Sequence, residues 1–156
     1  MIAAETSRAE SPALTHHHLV LCVDDEPRTL AALRRTFRRE PYEVVVTSNP
    51  WQALSWIDSR DISLVISDQR MPEMTGSEMI QEIRGRSPGT QCMLLTAYPG
   101  SVAAGEPSWT DIGKLLLKPW DDQQLRRIVR HLLFERETGY RSSEGGDGPD
   151  LGGEGG

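Results

Sequence analysis

Five short stretches of the chain are apolar almost throughout: residues 19–23, 44–46, 62–66, 92–95 and 115–117. Runs without polar alternation suit strands covered on both faces, as in a parallel sheet. Between them the apolar positions fall at helical spacing. Leu30, Leu33 and Phe37 share one face, as do Leu54 and Ile57, then Met79, Ile80 and Ile83. The clearest helix begins near Asp121, with Leu125, Ile128, Val129, Leu132 and Leu133 in register. Asn49 before Pro50 supplies a capping side chain and a proline at the first helical position, and Asp121-Asp122 places negative charge at a positive helix end. The pattern reads β-α five times over. Right-handed crossovers turn it into an α/β fold of (βα)5 type, a doubly wound five-stranded parallel sheet. Ligands of such sheets bind beyond the carboxyl ends of the strands, where the strand order reverses.

Composition trims the ends of this picture. Of 14 glycines among 156 residues, eight lie in the last 18, interspersed with Glu144, Asp147, Asp150 and Glu154. Residues 139–156 therefore read as a disordered Gly/acid-rich tail, and residues 1–18 as a disordered arm; residues 19–138 form the domain. The formal net charge of −6 divides into −1, −2 and −3 over arm, domain and tail. The arginines at 34, 35, 38, 39, 126, 127 and 130 have acidic neighbours and read as solvated helix faces, so no direct nucleic-acid contact is expected. No apolar run approaches ~18 residues and no signal segment opens the chain, so membrane contact and export are not expected either. Cys22 and Cys92 sit in apolar runs, in neighbouring-strand territory, and read as buried thiols of a reducing cytoplasm rather than a redox pair. The run His16-His17-His18 reads as structurally idle.

The residues just past the predicted strands are more specific. Asp24 and Asp25 follow the first, Asp68 the third, Thr96 the fourth, and Lys118-Pro119 the fifth. Each alone is an ordinary cap or turn. Together they bring three carboxylates, a hydroxyl and an ammonium to one edge. Three bare carboxylates repel. A hard divalent cation resolves the conflict, since Mg²⁺ prefers carboxylate and carbonyl oxygens. A lysine and a hydroxyl beside it suit phosphoryl oxygens.

Residues 21–27 (Leu-Cys-Val-Asp-Asp-Glu-Pro), 65–76 (through Asp68-Gln69-Arg70-Met71-Pro72), 94–98 and 117–120 resemble the receiver domains of two-component response regulators, over about residues 19–135. The intervals of 43, 28 and 22 residues from Asp25 to Asp68, Thr96 and Lys118 are similar to that family's. The resemblance implies a flavodoxin-like receiver fold and a role for each residue. Asp68 would be the phosphoacceptor, taking a phosphoryl group from a sensor histidine kinase or a histidine phosphotransfer protein. Asp24, Asp25, Asp68 and the backbone carbonyl of Arg70 would hold Mg²⁺. Thr96, Ala97 and Lys118 would receive the phosphoryl oxygens, with a cis Lys118–Pro119 bond. The Gln69 and Arg70 side chains would sit at the site mouth. Output would run through contacts with a downstream protein.

Two departures from the family bear on that output. Leu115 stands where receivers usually carry tyrosine or phenylalanine. Between Thr96 and Lys118, Pro99, Gly100, Gly105 and Pro107 predict a weakened fourth helix, with Trp109 packing back on the core. These features favour an alternative, a receiver-fold adaptor that docks independently of phosphorylation. An aspartyl-phosphate phosphatase would need an acid where Arg70 stands, so no enzyme beyond self-phosphorylation and self-dephosphorylation is expected. A fragment of a hybrid kinase is the remaining alternative, and the Gly-rich tail argues against it. With no output domain after the last helix, the expected unit is a stand-alone receiver.

Overall fold

A computed structural model of the chain describes residues 17–97 and 114–135. The arm through residue 16, the weakened helix with Trp109, and the tail 139–156 lie outside the described residues. The elements run β1 (Leu19–Val23), α1 (Pro27–Thr36), β2 (Glu43–Thr47), α2 (Pro50–Ser59), β3 (Leu64–Ser67), α3 (Gly76–Arg86), β4 (Gln91–Thr96), β5 (Lys114–Leu117) and α4 (Asp122–Arg130), which continues into a π-helical turn, His131–Glu135. All strand pairs are parallel and the sheet order is β2-β1-β3-β4-β5. This is the doubly wound sheet that the apolar runs predict.

Strand alternation sorts the apolar side chains into two cores. Leu21, Val23, Val65 and Leu94 pack with Ala53, Leu54 and Ile57 of α2 and Met79, Ile80 and Ile83 of α3. Val20, Cys22, Leu64, Ile66, Met93 and Leu95 pack on the other face with Leu30 and Leu33 of α1, Phe37, and Leu125 and Val129 of α4. Helices start where side chains satisfy their free N–H groups. Asn49 accepts from the Trp51 and Gln52 amides, and Asp121 from that of Gln124. Thr75 and Glu78 form a reciprocal capping box at α3. Among the described residues no helix is long and apolar enough to cross a membrane.

Beyond β5, Trp120 Nε1 donates at 3.0 Å to both Thr36 Oγ1 and Asp122 Oδ1, and Thr36 Oγ1 donates to the same carboxylate oxygen at 2.7 Å. The end of α1, the start of α4 and the loop carrying Lys118 are thereby tied together. Arg130 clamps Glu40 with two bonds of 2.7 Å. His18 departs from the idle reading. Its Nδ1 lies 2.8 Å from Ser63 Oγ, its ring meets Phe134 edge-on, and its carbonyl accepts from the Glu43 amide.

The two thiols lie on opposite faces of the sheet, Cys22 on β1 and Cys92 on β4 with β3 between, so they are not the neighbouring-strand pair the apolar runs suggested. Burial pushes both up from 9.0 to about 12. Neither should react with a disulfide reagent at pH 8 until the chain unfolds. The folded state holds these protons longer than the unfolded chain does. Their contribution to stability is therefore intact below about pH 9 and is lost as pH climbs toward 12. Urea midpoints measured from pH 8 to pH 10.5 should fall, and fall less steeply in Cys92→Ala.

Candidate functional site

Strand order reverses between β1 and β3. The chain leaves β1 for β2 on one side and leaves β3 for β4 and β5 on the other. Helices on opposite faces diverge there and leave a crevice. Asp24 and Asp25 enter it from β1 and Asp68 from β3. Hydrogen bonds continue the ladder past the strands, from the Asp24 amide to the Thr47 carbonyl at 3.3 Å and from the Asp68 amide to the Val23 carbonyl at 3.0 Å. One carboxylate oxygen from each acid lies within 4.8 Å of the others. Asp24 and Asp68 are buried and Asp25 is exposed.

Lys118 closes the far side. Its Nζ is 2.8 Å from Asp24 Oδ2 and 3.6 Å from Asp68 Oδ1. The Lys118–Pro119 bond is cis. Burial pushes the Asp24 carboxyl above its ordinary range, opposed by hydrogen bonds from Lys118 and the Glu26 amide and by the lysine charge, and reinforced by Asp68. Thr96, fully buried at the end of β4, accepts the Lys118 amide on its carbonyl at 2.9 Å. Ala97, next in the chain, is exposed, as is Arg70 on the loop after Asp68. Leu115 pairs with Leu94 and packs half-buried against the α2/α3 core.

The donor set fits a hard divalent cation. All three side chains offer carboxylate oxygens, two inside and one facing water, which suits an ion that retains some of its own waters.

The loop from Asp68 to α3 is held more tightly than the sequence suggested. The Gln69 amide donates to Asp68 Oδ1 at 2.8 Å and Ser67 Oγ donates to the Asp68 carbonyl at 2.8 Å. Gln69 does not sit at the mouth. It is 1% exposed, and its Oε1 accepts from both the amide and the hydroxyl of Ser77 at 2.8 Å. The Gly76 amide donates to the Gln69 carbonyl at 3.0 Å. A Cβ at Gly76 would collide with the Asp68 carbonyl oxygen and lie 2.7 Å from Leu94 Cδ2. Gly76→Ala should therefore destabilise by about 1–3 kcal/mol, read as a lower urea midpoint with unchanged slope. The missed signal was Thr75-Gly76-Ser77-Glu78, a capping-box pattern that starts α3 against Gln69.

A family model described as the response regulator receiver domain matches residues 20–130. The hydrogenase transcriptional regulatory protein HoxA of Cupriavidus necator is 36% identical over 116 residues, covering 73% of this chain and 24% of that protein. The transcriptional regulatory protein GlrR of Escherichia coli is 35% identical over 119 residues, covering 74% and 26%. The chain thus spans about a quarter of the length of these curated relatives. Among solved structures, the signal receiver domain of an HD domain-containing protein from Pseudomonas fluorescens matches with a TM-score of 0.71 and 31% identity, covering 78% of this chain and 98% of that one. The response regulator protein TrrA of Thermotoga maritima, in complex with Mg²⁺–BeF, matches with a TM-score of 0.67 and 31% identity, covering 74% and 99%.

Proposed function

This chain belongs to the response regulator receiver domain family, and from that premise we propose that it accepts a phosphoryl group on Asp68 from the phosphohistidine of a sensor histidine kinase or a histidine phosphotransfer protein. The observation that carries the reading is the gathering of three carboxylate oxygens within 4.8 Å under the Lys118 ammonium. Asp24, Asp25 and Asp68 would hold Mg²⁺, with the Arg70 carbonyl as a further ligand. When bound, the ion supplies positive charge that lets an anionic nucleophile approach an anionic phosphoryl group.

The remaining work falls to the chain's own residues. A carboxylate nucleophile needs no general base, so the task at Asp68 is alignment. The Gln69 amide fixes Oδ1 of that carboxylate. A carboxylate oxygen attacks phosphorus, the phosphorus–nitrogen bond breaks, and the imidazole departs with the bonding pair. Lys118 moves from Asp24 toward the new phosphoryl oxygens, and Thr96 donates its hydroxyl to another. Ala97 is small enough to leave that space open. The added charge of roughly −2 then draws Thr96 and Lys118 toward the phosphoryl group. The product is a covalent signal on the domain itself, read by a downstream protein in the cytoplasm, with no separate substrate turned over.

Leu115 favours a second reading, a phosphorylation-independent adaptor, because an aliphatic side chain packed on the α2/α3 core has no ring to swing. Acetyl phosphate with Mg²⁺ separates the two. The intact protein should gain the mass of one phosphoryl group. Asp68→Asn, or excess chelator, should abolish the gain. An unmodified wild-type protein would leave only the adaptor.

A further inference from the structure

We infer that Gln69 is the positioning residue of the phosphoacceptor, acting from inside the loop through Ser77; the inference rests on the reading of Asp68 given above. The torsion that turns an aspartate carboxyl is soft and nearly two-fold, so its rotamer alone does not hold one oxygen in place. Here the Gln69 amide holds Asp68 Oδ1 at 2.8 Å. That amide can aim only if the peptide after Asp68 is immobile, and three contacts make it so. The Gly76 amide bonds the Gln69 carbonyl, and the Ser77 amide and hydroxyl both bond Gln69 Oε1. The first turn of α3 thus grips residue 69 from both its main chain and its side chain.

The chemistry of the amide points to geometry rather than stability. Ser77 is fully buried and its amide, in the first turn of a helix, has no intrahelical acceptor. Gln69 Oε1 supplies one. The other end of the same side chain, Nε2, is buried without a hydrogen-bond partner among the described residues. An unbonded buried donor offsets part of what the two bonds to Oε1 contribute to stability. Leucine, similar in size, would remove the orphan donor while releasing Ser77. Changes in stability therefore partly offset one another, whereas the aim of the Gln69 amide is lost.

The test compares wild type, Gln69→Leu, Ser77→Ala and the double variant, each as the full chain, over a titration of acetyl phosphate up to saturation at saturating Mg²⁺. Gln69→Leu should lower the maximal phosphorylation rate about tenfold with the half-saturating donor concentration unchanged, a fraction of the hundredfold that a 1 Å misplacement can produce. Ser77→Ala, which keeps the Ser77 amide bond, should lower it less. The double variant should be no slower than Gln69→Leu, since both act through one clamp. In metal-free Ser77→Ala, the Gln69 amide proton resonance should move upfield as its bond to Asp68 lengthens. Folded Gln69→Leu with the wild-type maximal rate overturns the inference. Should that variant fail to fold, Ser77→Ala with an unmoved Gln69 amide and an unchanged rate overturns it. A wild-type protein that takes no phosphoryl group refutes the Asp68 reading, and the amide shift alone then decides whether the clamp aims that carboxylate.

Discussion

Replacing Lys118 with methionine is expected to slow phosphorylation from acetyl phosphate by roughly 10²–10³-fold, the range seen when one positioned charge stabiliser is removed from a reacting centre. The stem length is nearly kept, so the change is almost purely one of charge. The same substitution should destabilise the metal-free fold. Among the described residues, Lys118 is the cation paired with both Asp24 and Asp68, at 2.8 and 3.6 Å. Breaking a fully buried pair costs about 3–5 kcal/mol. The lysine side chain is 18% exposed, so a smaller loss is expected here. Its pH dependence identifies the cause. Without Lys118, Asp24 keeps the burial and the Asp68 charge that push its carboxyl up and loses two of the influences that pull it down. A raised carboxyl favours folding fully only below its unfolded value, near 4, and that advantage is lost as pH rises through the folded value. The gap in urea midpoint between wild type and Lys118→Met should widen from pH 4 to pH 8. Equal midpoints at both would show that the 2.8 Å contact contributes nothing.

Features that depend on local pattern are legible in the chain alone. Residues 19–23 and 64–66 are apolar because helices cover both faces of central strands, and that requirement appears as uninterrupted runs. The acids are legible for the complementary reason. Burying Asp24 and Asp68 at the ends of such runs makes sense only if something compensates their charge. Gln69 is not legible, because a polar residue beside an acid reads as solvent-facing. Its burial depends on α3 starting close enough for Ser77 to reach it, a distance set by Gly76 and the capping box rather than by Gln69 itself. His18 escapes the sequence reading for a similar reason, since its partners Ser63 and Phe134 come from the approach to β3 and the π-helical turn after α4. The faces of Cys22 and Cys92 require the register, because Cys22 pairs with Ile66 and Cys92 with Val65, neighbours that point to opposite sides.

Asp25→Asn should remove the stabilisation by Mg²⁺ while leaving the metal-free fold as stable as wild type, or slightly more so. Asp25 separates the two effects better than its neighbours. Asp24 is tied to Lys118 and the Glu26 amide, so replacing it disturbs a hydrogen-bonded network as well as a ligand. Asp25 is exposed, yet one of its oxygens lies within 4.8 Å of those of Asp24 and Asp68. Without metal it adds only like-charge repulsion, and its loss relieves that. With metal, a ligand that binds the folded state alone stabilises it by about 2.7 kcal/mol at one hundred times its dissociation constant. For a domain of this size that is a rise of several degrees in melting temperature. The rise should appear in wild type on adding MgCl₂ and be largely absent in Asp25→Asn. Sodium chloride at matched ionic strength is the control, because screening alone would also relax an acidic cluster. An equal response to both salts would mean that the three carboxylates share no ion, and the alignment argument for Asp68 would lose its charge neutralisation.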